Sequence, residues 1–259
     1  MAKQLGIIPL KGTIGNITFY KTKAGHLARE KGGIDASRIA NDPAFVRTRE
    51  NGSEFGRAGK ASKILRTAFR ALLINVGDSY MPSRLTREMV KVIQADVTNL
   101  RGQRNVIDGE AELVKGFEFS INARLGGSLY APFTASIDRA AGTLKVEIPA
   151  FVPINMIASP AGATHFKILI AGAEVDFEAE TFVSANASSA ETAIDATATA
   201  VMNLSVNVTP NSAKPLFLAL GIEFYQQING ALYSLKNGAY NALAIVEVSG
   251  LPADVPPAP

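Results

Sequence analysis

Residues 216–235, LFLALGIEFYQQINGALYSL, read as a β-hairpin. Asn229-Gly230 lies between two β-rich runs, Leu216–Gln227 and Ala231–Leu235, and both turn residues tolerate the positive φ of a tight connection. Runs of the same kind recur on either side: Val114–Arg124, Leu129–Asp138, Thr143–Ile148, His165–Ala171, Glu174–Val183, Val201–Thr209 and Ala242–Val248. Short strands at this spacing predict an antiparallel sandwich or barrel. We therefore expect residues 105–250 to form an acidic β-sandwich domain, as one sheet pair or as two smaller β-units divided near Pro149–Gly162. That divide holds three prolines and reads as a connection between sheets. Ala185–Ala200 is a small-residue tract that suits a short helix, a loop or a surface insert. Residues 251–259, LPADVPPAP, cannot join a central strand and are expected to be extended.

Upstream the pattern differs. Residues 12–33, GTIGNITFYKTKAGHLAREKGG, predict a hairpin, with strands Ile14–Lys21 and His26–Lys31 about a turn at Ala24-Gly25. Ile17 and Phe19 fall on one face, Thr18 and Tyr20 on the other. A hairpin alone is marginal in water, so this one must rest on its own helices or on a neighbouring subunit. Asp42-Pro43 opens a helix, Asp as the cap and Pro in the first turn, which reaches to about Asn75. Gly52, Gly56 and Gly59 punctuate it, and either the backbone is closely approached there or residues 50–59 form a loop. Ser83 is expected to cap a second helix to about Leu100, with Leu85, Met89, Val92, Ile93 and Val97 on one side. The fold class is thus α+β: an N-terminal hairpin and helices in residues 1–104, an antiparallel β-sandwich, then a Pro-rich tail.

Charge is segregated along the chain. Residues 1–104 hold 19 Lys+Arg against 8 Asp+Glu, whereas residues 105–259 hold 7 against 15, a split concealed by the net +3. A basic front and an acidic back invite contact between unlike surfaces of two copies. Glu174, Asp176, Glu178 and Glu180 alternate with Val175, Phe177, Ala179 and Thr181, which on a strand would set the four carboxylates in a ladder on one face. The ladder suits a solvated face, a dock for a basic partner or a Ca²⁺ site. Lys21, Lys23, Arg29, Lys31, Arg38, Arg47, Arg49, Arg57, Lys60, Lys63, Arg66 and Arg70 are its complement.

No catalytic signature is present. The chain has no cysteine, which removes disulfides and thiolate chemistry, and its two histidines, His26 and His165, are too few and too separated for a metal site. Residues 54–61, EFGRAGKA, fail the phosphate-loop pattern at both Glu54 and Ala61, and no G-x-S-x-G elbow occurs. No enzyme activity, cofactor or metal is expected. Nucleic acid would suit the basic set but is not favoured, because no helix-turn-helix, zinc-finger or RNP pattern accompanies it. Met1–Leu10 is too short and too soon interrupted by Lys11 for a secretory signal, and no 18-residue apolar run occurs, so we expect synthesis in the cytoplasm without a membrane span. Signal-independent export or release by lysis stays open.

Residues 12–75 resemble the N-terminal region of uncharacterised proteins from Bacteroidota. These share a hairpin of the form G-x-[IV]-G-N-[IV]-x-x-Y, an Arg-bearing second strand and an Asp/Asn-Pro helix start. Gly12, Gly15, Asn16, Tyr20, Arg29, Asp42 and Pro43 carry the likeness. It implies no activity, since that family is itself unassigned. The reading we carry forward is a structural subunit that self-assembles head-to-tail into a filament, tube or shell, extracellular or phage-like. Its interface would use Gly12, Gly15, Ile17, Phe19, Tyr20, Arg29, Lys31, Arg47, Arg49 and Arg57 against Glu174, Asp176, Glu178 and Glu180 of the neighbour. The alternatives are a β-sandwich module binding a glycan or surface protein, disfavoured by the absence of tryptophan, or a nucleic-acid-associated basic protein.

Overall fold

The computed structural model describes residues 2–6, 8–30, 33–76, 78–235 and 240–250. Helices and antiparallel sheets combine in an α+β fold with sandwich-like sheets, as the sequence predicts. Two compact units divide the chain, Met1–Arg49 and Glu50–Pro259. This division lies at Arg49/Glu50, apart from the boundary expected at 104/105, and the helices after Glu50 share a core with the strands.

In the first unit, β1 (Ala2–Lys3), β2 (Gly12–Ile14), β3 (Ile17–Thr22) and β4 (Gly25–Glu30) form a four-stranded antiparallel sheet in the order β1-β4-β3-β2. The expected hairpin is its β3–β4 pair, and β1 and β2 widen it. Gly12 at φ 119° and Gly15 at φ 57° take backbone conformations that glycine adopts at least cost, which accounts for both motif glycines. Helix α1 (Ala36–Asn41) starts where Asp35 accepts from the Ser37 amide at 2.8 Å. Asp42 caps a 3-10 turn, Pro43–Phe45, accepting from the Ala44 amide at 2.9 Å, and the turn runs directly into α2 (Val46–Ala68). The Asp-Pro start is as expected.

Helix α2 is unbroken, so the loop alternative at residues 50–59 is ruled out. Nor is its backbone closely approached: a Cβ added at Gly52, Gly56 or Gly59 meets no atom within 4 Å. After a break at Phe69 come α3 (Arg70–Leu73) and α4 (Met81–Gln94). Ser83 is not the cap, since α4 begins two residues earlier with Pro82 in its first turn. It also stops short of Leu100. The Asp96 carboxylate accepts from the amides of Thr98, Asn99 and Asn105 at 2.8, 2.9 and 3.0 Å, committing the chain to a loop and leaving Val97 94% exposed.

Beyond a second 3-10 turn (Ala111–Val114) lie α5 (Leu125–Ser128), β5 (Thr134–Asp138), β6 (Thr143–Ile148), α6 (Pro153–Met156), β7 (His165–Asp176), β8 (Thr181–Ser188), β9 (Thr192–Ala193), β10 (Met202–Asn207), β11 (Leu216–Ile228), β12 (Ala231–Leu235) and β13 (Ala242–Ser249). The central sheet runs β12-β11-β7-β8, with β13 also on β11 and β9 on β7; a smaller sheet runs β10-β6-β5. Several expected runs are corrected. Val114–Arg124 is not a strand, although Gly116 and Phe119 donate to Ile245 and Leu243 and so shelter the edge of β13. Leu129–Asp138 yields strand only from Thr134, and the small-residue tract is neither helix nor insert but the end of β8, β9 and connecting chain. Pro149–Gly162 does connect the two sheets, from β6 to β7.

The sheets make one sandwich. Leu144, Val146 and Ile148 of β6 pack against Phe166, Ile168 and Ile170 of β7 and Leu216, Leu218, Leu220 and Ile222 of β11. The opposite face of the same central strands, through Ala171, Ala173, Val175, Phe217 and Ala219, packs on Ala61, Ile64, Leu65 and Ala68 of α2 and Leu85, Met89, Val92 and Ile93 of α4. The helices are thus a third layer. Burying each large apolar side chain contributes about 1.5–3 kcal/mol, so both interfaces stabilise this unit. Gly172 fits between the sheets because a Cβ there would stand 2.7 Å from Val206 Cγ2 and 3.1 Å from Leu144 Cδ2.

Candidate functional site

The N-terminal sheet has a face and no core. Antiparallel partners share a face, so the pairs Gly12–Phe19, Ile14–Ile17, Phe19–Ala28 and Ala2–Ala28 place Ala2, Gly12, Ile14, Ile17, Phe19 and Ala28 together on one side, an apolar centre edged by Glu30 opposite Ile17 and by the Lys21–His26 pair. Thr13, Thr18, Tyr20, Leu27 and Arg29 share the other, where Arg29 lies over the Tyr20 ring at 5.6 Å. None of the unit's described residues is buried; Ile14 keeps 64% of its surface and Ile17 46%. The Gln4 side chain steadies the β1–β2 connection, donating to the Leu27 carbonyl at 2.9 Å and accepting from the Leu10 amide at 2.8 Å. Leu5 and Ile8 in that connection are also exposed.

The basic residues differ in exposure and in what they hold. Arg49 donates to the carbonyls of Ile39 and Asp42 at 2.7 and 3.0 Å, and so ties α1 and the turn after it to the start of α2. Arg57 donates to the carbonyls of Gly102 and Arg104 at 2.7 and 2.8 Å. Both half-buried guanidiniums are thus engaged by carbonyls of their own units. Arg29 and Arg47 are exposed. Lys31 lies outside the described residues, as does the tail 251–259.

The acidic ladder does not form. Strand β7 ends at Asp176, and residues 177–180 turn the chain into β8, so the four carboxylates point to different places. Glu174 is only 5% exposed. Burial alone would raise its pKa, but hydrogen bonds from Thr209 and Ser212 and the charge of Lys214 outweigh it and hold the carboxyl below its ordinary range. Asp176 accepts from the amides of Ala179 and Glu178, at 2.8 and 3.1 Å, and pairs with Lys214 at 3.1 Å. The Ala179 bond is the main reason its pKa is lowered. Glu180, at φ 54°, pairs with Lys60 at 2.8 Å. Glu174 and Glu178 carry no ion pair among the described residues, and of the two only Glu178 is exposed. Arg57, Glu178 and Glu180 do come together, around a cavity of about 510 Å³ floored by Ala61, Val106 and Phe177.

Recounting charge by unit sharpens the asymmetry. Residues 1–49 hold 9 Lys+Arg and 3 Asp+Glu, and residues 50–259 hold 17 and 20. The basic surplus is shared between the hairpin unit and residues 50–104, which hold 10 Lys+Arg against 5 Asp+Glu; of the helical cations, Arg57, Lys60 and Arg84 are engaged within the larger unit.

Sequence reasoning missed one surface entirely. Strand β8, TFVSANAS, has no charge, proline or glycine, and its first four residues are all exposed, Phe182 and Val183 among them. The signal was its composition, obscured by reading Glu174–Val183 as a single strand. Among the described residues no group of His, Asp and Glu is placed to hold a metal ion, and no helix is long and apolar enough to cross a membrane. No protein-family model matches the chain, and no curated protein matches it.

Proposed function

We propose that this chain is a structural, non-enzymatic subunit whose N-terminal unit is a docking arm, completed by the body of a neighbouring copy in a head-to-tail assembly. The observation that carries the reading is a fully paired four-stranded sheet with no buried side chain among its described residues. Such a sheet gains little from hydrophobic burial on its own, and a partner over Ile14, Ile17 and Phe19 supplies what it lacks. Net charge supports a body of opposite sign as that partner, guiding encounter while apolar burial supplies the affinity. A contact between unlike surfaces propagates without closing on itself, so the product is a filament, tube or shell. On this reading the G-x-[IV]-G-N-[IV]-x-x-Y motif encodes the docking sheet itself.

Deleting residues 1–33 tests it. The deletion removes no core residue, since the hydrophobic core begins at Ala58. The shortened chain should be a soluble monomer by light scattering and show no polymers by negative-stain microscopy. Polymers of undiminished length would reject the arm.

A further inference from the structure

Resting on that reading, we propose that the acceptor for the arm is the outer edge of strand β8, which takes up the free edge of β2 from a second copy and continues the central sheet across the contact. The outer strands of the central sheet differ: β13 is sheltered, whereas among the described residues β12, of five residues, and β8, of eight, are not, and β8 is the longer open edge. On one side the chain shelters β13 with the 116–119 segment, whose amides at Gly116 and Phe119 donate to it. On the other, β8 pairs with β7 through Thr181–Ser188, and among the described residues no backbone hydrogen bond reaches its outer side. Folded proteins blunt long bare edges with lysine, proline, bulges or a covering segment, because an open ladder templates pairing with another chain. Strand β8 carries no lysine, proline or bulge.

Two features identify the occupant as the arm of another copy. The first is charge. The strand itself is neutral and exposed Glu178, just before it, has no ion pair among the described residues, while the arm, with 9 Lys+Arg against 3 Asp+Glu, brings Lys11 and Lys21 beside its own edge. The second is form. The arm sheet ends in β2, Gly12–Ile14, itself an unpaired edge, so joining the two satisfies two open ladders with main-chain bonds. The face containing Ile14 and Ile17 is then carried next to Phe182 or Val183, the exposed apolar residues on the two opposite faces of β8.

The test uses the full chain with Ser184→Lys and Asn186→Lys together, two exposed positions on the edge. Their neutral counterparts, Ser184→Thr and Asn186→Thr, serve as the control. Light scattering over a concentration series should show the lysine variant assembling at least about tenfold more weakly than wild type, with the threonine variant unchanged. Amide exchange on unmodified protein gives a second readout: β8 should gain protection on assembly. If wild type assembles and the lysine variant assembles equally well, or β8 gains no protection, the edge assignment is overturned while the docking arm stands. A wild type that stays monomeric overturns both.

Discussion

Replacing Ile14 and Ile17 by serine removes the centre of the arm's apolar face. Complete burial of an isoleucine is worth about 1.5–3 kcal/mol. Ile14 and Ile17 retain 64% and 46% of their surface, so docking can bury roughly one side-chain equivalent between them. The loss should be about 1.5–3 kcal/mol per contact, or about 10- to 150-fold in the association constant, since 1.4 kcal/mol is a factor of ten. The body should be unaffected, because neither residue belongs to its two cores. Analytical ultracentrifugation across a dilution series measures the assembly midpoint, and urea unfolding monitors the body. A midpoint displaced by less than about threefold would refute the assignment of this face to the contact, and so would an equal loss in the urea transition.

Identical glycine-to-alanine changes should act with opposite sign at two sites. Gly52→Ala, Gly56→Ala and Gly59→Ala should each stabilise the body by up to about 1 kcal/mol, as the added methyl meets nothing within 4 Å. Gly172→Ala should cost about 1–3 kcal/mol through contact with Val206 and Leu144, read as opposite shifts of the urea midpoint. Acid should unfold the body through Asp78, Asp96 and Glu174, whose folded pKa values all lie below the ordinary range. In each, burial alone would raise the value, and hydrogen bonds and neighbouring cations overcome it; for Asp96 the donors are Asn99, Asn105 and Thr98. Their contribution is complete above the unfolded carboxyl range and is lost as pH falls below about 4 through the folded values. Asp96→Asn should therefore destabilise at pH 7 and converge with wild type toward pH 2 in a pH series of melts. Glu118 has the reverse sign. Burial raises its pKa against the Leu125 amide and Arg124, so its charge costs stability at neutral pH, and Glu118→Gln should be neutral or stabilising there while differing little once Glu118 is protonated.

The strand-rich body was legible because its signals are local. Asn229-Gly230 turns β11 into β12 in the expected place, with Asn229 at φ 51° and Gly230 at φ 82°. Asp42-Pro43 likewise marks its helix start through a cap that needs only neighbouring atoms. The helical layer was less legible, although a trace of it stood in β11. LFLALGI does not alternate, as a strand with one wet face would, because Leu218 and Leu220 face the small sheet while Phe217 and Ala219 face α2 and α4. The acidic ladder failed for a different reason: periodicity presumes a continuous strand, and Asp176 ends this one by accepting the Ala179 amide. The end of α4 is the same case, with Asp96 taking loop amides before Val97 can join the apolar face. In the candidate interface, Arg49 and Arg57 look like surface charge by composition, yet they serve backbone carbonyls within their own units, one of those of Arg57 47 positions away, a pairing that only the fold reveals.

Hydrogen exchange of the amides in Ile17–Thr22 and Gly25–Glu30, followed while the protein is diluted, measures whether the arm sheet depends on a neighbour. Protection of these strands should be strong in concentrated samples and should fall toward that of an isolated hairpin on dilution, while β7 and β11 stay protected throughout. Strong protection of the arm strands that does not change with concentration would contradict the account.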